Sequence, residues 1–223
     1  MLNKIKRYSK GLQKRIIGVK YGETWKGQGK EFYDELFRAT PLIHEDFLSY
    51  MKTKNNIKTV IEIGCGAGVY PINHSYLFKN MEYTGIDISG SAIDFCKKNS
   101  TFEFHAGDFL KMDFHKQYDL VFSHSVIDHV YDIDLFLTKI TQICKKYAYV
   151  FAYRGFYPDL QNHKMTYASH QGCYHNELSV NKVKSILNEL GLSKDEYTIE
   201  PKNTGYLQNP IGTLITINKK QNS

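Results

Sequence analysis

Three glycines, Gly64, Gly66 and Gly68, follow directly on Val60-Ile61-Glu62-Ile63, and at that junction this 223-residue chain is best equipped for chemistry. β-Branched residues suit a parallel strand buried on both faces. Glycines, which lack a Cβ, let the backbone turn sharply and let a ligand approach it closely. A helix opening after Gly68 would aim unpaired N–H groups at a carboxylate or phosphate. Two more acids arrive at strand ends. Asp87, followed by Ile88, closes the strand-like run 83–87 twenty-three positions after Gly64, near the spacing at which an acid accepts from ribose hydroxyls. Asp108 closes a third such run from Phe102 and precedes Phe109. Proton transfer needs a base, and Ser123-His124-Ser125-Val126-Ile127-Asp128-His129 sets two imidazoles and a carboxylate after a fourth run.

A dinucleotide fingerprint needs a third glycine where Val69 stands, so the loop is not of that type. The pattern E-x-G-C-G-x-G from Glu62 to Gly68 resembles instead the first motif of the class I S-adenosylmethionine-dependent methyltransferases, and Asp87 and Asp108 fall in that family's order. The resemblance, which covers about residues 58–219, implies S-adenosylmethionine as cofactor. Gly64, Cys65, Gly66 and Gly68 would hold its methionine part, Glu62 its amino end, and Asp87 with Ile88 its ribose. Asp108 would accept from the adenine amino group, Phe109 would cover the ring, and Ser123 would join the cofactor site. The post-strand segment resembles the family's, in which a histidine near the His129 position recurs. His129 or His124 is then the candidate base, with Asp128 either orienting an imidazole or facing solvent.

The elements that must position these groups alternate strand and helix, which predicts an α/β fold whose mostly parallel sheet is covered by helices on both faces. Ser89 is placed to cap a helix after the second strand. A strand is expected over 118–123, a helix over about 132–146, a strand over 147–153, a helix over 176–190 stopped by Gly191, and strands near 197–200 and over 211–218. The resemblance implies seven strands, the last antiparallel. Residues 1–57 form a first region of basic arm, lid and first helix, and 58–223 the core. In that first helix Thr40-Pro41 is a cap and first-turn pair, and Leu42, Ile43, Phe47, Tyr50 and Met51 make one apolar face.

Residues 1–20 hold seven Lys or Arg and no acid, leaving 22 basic against 23 acidic residues elsewhere. The basicity therefore belongs to the N-terminus, as a solvated arm or as an attractor for an anionic substrate or acidic membrane surface, since Leu2, Ile5, Leu12 and Ile16 give a weak stripe. Basic residues interrupt every apolar run there, unlike a signal peptide. A near-neutral core and the absence of an N/D-P-P-Y/F motif argue against a nucleic-acid acceptor. Tyr21 and Trp25, in a glycine-rich stretch, are candidate lid residues over cofactor and acceptor; alternatively Trp25 anchors that stretch to the core.

An aromatic and polar insertion over 153–176 carries Tyr153, Arg154, His163, His170, Tyr174 and His175, suited to acceptor recognition at the sheet's carboxyl edge. Arg154 could clamp a phosphate or carboxylate, and tyrosines could stack on a sugar or base. No histidine spacing demands a metal, and none is expected. Four widely spaced cysteines look like reduced cytosolic thiols, no apolar run is long enough to span a bilayer, and the Lys, Asn, Ile and Tyr content suits an AT-rich bacterial genome. The expected activity is cytoplasmic small-molecule O-methylation of a sugar, nucleotide-sugar or phosphate-bearing acceptor. The alternatives are N-methylation of an amine and cofactor binding without turnover.

Overall fold

The computed structural model describes residues 19–39 and 41–220. The arm stripe from Leu2 to Ile16 and the expected cap Thr40 lie outside the described residues. β1 (Thr59–Ile63), β2 (Glu82–Asp87), β3 (Glu103–Ala106), β4 (Tyr118–His124) and β5 (Cys144–Ala152) are parallel, while β6 (Lys164–Ala168) and β7 (Cys173–Glu177) form a separate antiparallel pair. β8 (Tyr197–Asn203) and β9 (Ile211–Asn218) complete a seven-stranded sheet of order β3-β2-β1-β4-β5-β9-β8, in which β9 is antiparallel to both neighbours. Pro201 is tolerated in β8 because that strand is an edge. The helices are α1 (Glu23–Lys26), α2 (Lys30–Ala39), α3 (Pro41–Lys52), α4 (Gly90–Asn99), α5 (Ile133–Ile143) and α6 (Val180–Glu189). Among the described residues no helix is long and apolar enough to cross a membrane.

Both faces of the sheet's centre are dry, which is why β1 and β4 carry apolar residues on both sides, whereas the edge strands β3 and β8 are partly exposed. Val60 and Phe122 pack with Phe47 and Ile93 on one face; Ile61, Ile63 and Val121 pack with Phe136, Ile140, Val183 and Leu187 on the other. α3 buries Ile43, Phe47 and Met51, and Phe47 stacks on Phe122 with ring centroids 4.4 Å apart. Leu42 falls off that stripe and is 40% exposed, since one residue turns a helix about 100°.

Several expected boundaries move. The segment after Gly68 makes only a π-turn, Val69–Asn73, and a 3₁₀ turn, Ser75–Leu77, because Asn73, His74 and Ser75 are poor helix formers whose side chains compete for the backbone. The helix expected over 176–190 begins at Val180, where the Ser179 hydroxyl accepts from Lys182 N at 3.0 Å; Asn176 belongs to β7 instead. α5 stops at Ile143, and β5 starts three residues earlier than expected. The Ser89 cap forms as expected, accepting from Ala92 N at 3.3 Å.

Strand order reverses between β1 and β4, so the connections leaving their carboxyl ends diverge and open a crevice there. The glycine loop after β1 and the histidine segment after β4 are its two walls.

Candidate functional site

The crevice is a cleft of ≈ 650 Å³, ligand-sized, with Gly64, Cys65 and Gly66 in its wall. Gly64, Gly66 and Gly68 have φ of +80°, +52° and +70°. A Cβ on Gly64 would lie 2.1 Å from Val126, and one on Gly66 would lie 2.4 Å from the Tyr33 ring. Gly68 does not line the cleft; it turns the chain past Cys96, whose sulfur lies 2.9 Å from where a Cβ would sit.

Asp87 holds this loop together. Its carboxylate accepts from Gly66 N and Ser89 N, each at 2.8 Å, and the Tyr33 hydroxyl lies 3.4 Å away. Burial raises its pKa against those three donors. Glu62, buried on β1, accepts from the Tyr83 hydroxyl, and burial pushes its pKa up to about 8. No cation pairs with it among the described residues. Asp108 Oδ1 accepts from Leu110 N at 3.1 Å, while its buried Oδ2 has no hydrogen bond, with Lys111 Nζ only as near as 3.8 Å. Ile88 and Phe109 line the same end.

Tyr21 and Trp25 also line the cleft. Tyr21 sits edge-on to Tyr131 at 4.9 Å, and Trp25 lies 5.4 Å from the His129 ring. Their segment is fastened at both ends: Gly22 N donates to Gly172 O at 2.8 Å, and the Ser91 hydroxyl donates to Gln28 O at 2.8 Å.

The post-β4 segment separates into different roles. His129 Nδ1 lies 2.9 Å from the Tyr174 carbonyl, which only accepts, so Nδ1 carries the proton and Nε2 keeps its lone pair. Nε2 faces the Tyr153 hydroxyl at 3.4 Å, and burial pushes the imidazole pKa down to about 4, with Arg154 and His175 adding to the shift. His124 lies in the cleft wall with its Nε2 3.3 Å from the Tyr70 hydroxyl, which also meets His44; burial holds its pKa well below the ordinary value.

Two residues expected to act at and just after the end of β4 are not in the cleft. Ser123 spends its hydroxyl on the Ile63 carbonyl at 2.9 Å, tying β4 to β1. Asp128 touches neither imidazole nor solvent: fully buried, it accepts from Tyr153 N at 3.2 Å and Arg154 N at 3.0 Å. It pins the end of β5, and burial pushes its pKa up to about 7.

Of the insertion, Tyr153, Arg154 and His175 line the cleft. The Arg154 guanidinium lies 4.9 Å over the Tyr153 ring, and its buried Nε has no hydrogen-bond partner. His175 Nε2 lies 2.7 Å from Gln171 Oε1. Tyr174 contributes its carbonyl to His129 rather than its ring to the cleft. His163 and His170 stay outside: His163 accepts from Ser179 N at 3.0 Å and braces the start of α6, and His170 is exposed in the β6–β7 turn.

Residues not anticipated include Tyr33, His44, Tyr70 and Tyr206, all in the cleft wall. A buried histidine interrupting the apolar stripe of α3 was a legible signal for His44, and Tyr70 stands two residues past the glycine loop. Tyr206 arrives through topology alone, because antiparallel β9 starts at the edge where β5 ends.

Residues 54–191 match the family model described as a methyltransferase domain. The chain is 31% identical over 97 residues to a fatty-acid O-methyltransferase of Mycolicibacterium smegmatis, a match spanning 41% of this chain and 35% of that protein. It is 28% identical over 100 residues to a pavine N-methyltransferase of Thalictrum flavum subsp. glaucum, spanning 42% of this chain and 28% of that protein. The chain thus aligns with about a third of these relatives' length. The plantazolicin methyltransferase BpumL, solved with a pentazolic desmethylPZN analog and SAH, superposes with a TM-score of 0.60 at 18% identity over 85% of this chain and 89% of its own, a likeness of fold. With the seven-stranded sheet, the switch-point cleft and the glycine loop in place, this chain belongs to the methyltransferase-domain family and has the fold of the class I S-adenosylmethionine-dependent methyltransferases.

Proposed function

We propose that this protein methylates a hydroxyl of a small anionic acceptor, a sugar, nucleotide sugar or other phosphate-bearing metabolite, with S-adenosylmethionine as donor. The residues present fit the cofactor: Asp108 Oδ2, which accepts no hydrogen bond and has Lys111 Nζ only as near as 3.8 Å, suits an adenine amino group, Asp87 the ribose, and the cation-free Glu62 carboxyl an ammonium. When bound, the cofactor supplies a methyl group already activated by its sulfonium. The chain's own work is alignment, water exclusion and proton removal. Tyr21, Trp25 and the β6–β7 pair would form the cover.

The observation that carries the reading is the lone pair of His129 Nε2 in a cleft whose wall, among the described residues, holds one cationic side chain, Arg154. Arg154 would hold the acceptor's anion, and His129 would receive its hydroxyl proton. The relative named for oxygen methylation supports this reading. The one named for nitrogen methylation supports a neutral amine acceptor, for which His129 is not required.

Incubation with S-adenosylmethionine and paired panels of hydroxylated and aminated phosphates, read by mass spectrometry for S-adenosylhomocysteine and methylated product, tests this directly. Transfer to the hydroxyl set is expected. Cofactor binding without turnover on either set would make the chain a binding protein. Arg154→Ala should raise the KM for the acceptor about tenfold or more and leave cofactor affinity near wild type, consistent with a lost charge-assisted pair.

Glu62 gives a separate expectation. With a pKa of about 8 it is mostly protonated in the empty cleft at pH 7, and an arriving ammonium favours its ionised form. Binding of S-adenosylhomocysteine should therefore release protons, up to about one, seen as a dependence of calorimetric heat on the buffer's ionisation enthalpy. Glu62→Gln should abolish that dependence.

A further inference from the structure

Beside the polar Gln208 and Asn209, the rim of the cleft carries apolar side chains that the chemistry so far does not use. Leu36 on α2 lines the cleft and is 46% exposed, Leu42 on α3 is 40% exposed, and Leu207 in the β8–β9 loop is 96% exposed. Scattered exposed leucines need no account, but Leu36 lines the cleft and Leu207 stands between Tyr206 and Gln208, which line it too. Leu42 meets the loop that carries Leu207: Gly205 lies against it, with 3.3 Å from its would-be Cβ to Leu42 Cγ, and Tyr206 of the same loop lines the cleft.

The loop presenting Leu207 is built rather than frayed. Thr204 is fully buried, its N–H donates to the Pro210 carbonyl at 3.0 Å, and its hydroxyl bonds the Asn209 carbonyl and accepts from Tyr206 N at 2.8 Å. Gly205 N donates to Asn203 Oδ1 at 2.9 Å. Leu207 is thus held out into water by a turn fastened through Thr204 and Asn203. From that rim the wall grades inward through Tyr206 and Tyr153, whose rings are 6.4 Å apart, to the Arg154 guanidinium over Tyr153.

We propose that the acceptor is an amphiphile, its anionic end held by Arg154 and its apolar chain leaving the cleft over Tyr206, Leu36, Leu42 and Leu207. The assignment rests on the anionic-acceptor reading and narrows it: one wall offers a cation within and hydrocarbon at the lip, complementary to a molecule built the same way round. A sugar phosphate without a tail would leave the lip in water.

The sole tryptophan of the chain, Trp25, lines the cleft and reports occupancy. Butyl, hexyl and octyl phosphate, each below its micelle concentration and with S-adenosylhomocysteine present, would be titrated against Trp25 fluorescence. A fully buried methylene tightens binding about fourfold, so a chain lying on an open rim and wetted on one side should gain about twofold per methylene. Leu207→Ser should flatten that gradient, and Leu42→Ser/Leu207→Ser should flatten it further, with S-adenosylhomocysteine affinity unchanged. Affinity independent of chain length, or a full gradient surviving in the double variant, would overturn the amphiphile assignment while leaving the anion site standing. Failure of every alkyl phosphate to bind a protein that still binds S-adenosylhomocysteine would overturn the Arg154 reading, and this one with it.

Discussion

Replacing His129 with Ala is expected to lower turnover about 10²- to 10⁴-fold while leaving S-adenosylhomocysteine affinity near that of wild type. The reason is the asymmetry of its two nitrogens. The Tyr174 carbonyl fixes the proton on Nδ1, so Nε2, which faces the Tyr153 hydroxyl at 3.4 Å, is the nitrogen able to receive one. Burial complicates the role, because an imidazole pushed down to about 4 is a weak base at neutral pH. One cause of that depression is the nearby Arg154 charge, which an acceptor's anion would offset. The acceptor should therefore raise the basicity of the group that deprotonates it. In sign, free His129 is neutral and competent above about pH 4, so the acid limb of kcat/KM should fall near that value; in the complex the limb of kcat should lie at higher pH. Arg154→Ala should shift the kcat/KM limb upward as well, by removing the same charge. Near-normal turnover in His129→Ala, or coincident acid limbs in kcat and kcat/KM, would remove His129 as the base. His124→Ala serves as the contrast, since His124 is packed against Tyr70 and Phe47 and its loss should cost stability before turnover.

The parallel sheet was legible because its central strands are buried on both faces, leaving Val60, Ile61 and Ile63 around Glu62 in β1 and the run Leu120-Val121-Phe122 in β4. The glycine loop was legible because positive φ leaves few alternatives to glycine. What sequence spacing could not separate was which polar groups at a strand end face the ligand and which serve the frame. Asp128 and His129 are adjacent, yet one is walled in beneath the end of β5 and the other looks into the cleft. A one-residue step along irregular backbone reverses a side chain, and local pattern carries no record of it. Ser123 misled similarly, as a polar residue at a strand end whose partner, the Ile63 carbonyl, comes from the neighbouring strand. Within 153–176, a run of mixed aromatic and polar residues shows no strand periodicity, yet pairing of β6 with β7 turns alternate residues to opposite sides and puts His175 in the cleft while His170 stays in the turn. Tyr206 depended on the reversed direction of β9, a long-range pairing invisible to any window of sequence.

Asp87→Ala is expected to reduce affinity for S-adenosylhomocysteine about 100-fold or more, and to lower the melting temperature of the cofactor-free protein as well. Both effects follow from one carboxylate doing two things. Its oxygens already accept from Gly66 N and Ser89 N at 2.8 Å, so they hold the glycine loop at φ values it would not keep unaided and close the start of α4. Removing it leaves two buried N–H groups unpaired at about 1–3 kcal/mol each, together roughly 4–24 °C of melting temperature in a chain of this size. The remaining lone pairs are what a ribose would use, so ligand bonds vanish together with the loop that frames them. Asp87→Asn separates the contributions. An amide oxygen can accept from only one of the two N–H groups, and its NH₂ opposes the other donor, so Asn should recover less than half of the lost stability although it matches Asp in shape. An Asp87 serving the ligand alone would show wild-type melting in both variants without cofactor, with differences only in the calorimetric titration. Melting curves of the three proteins, taken with and without S-adenosylhomocysteine, decide between a residue that merely touches the cofactor and one that also builds the loop to receive it.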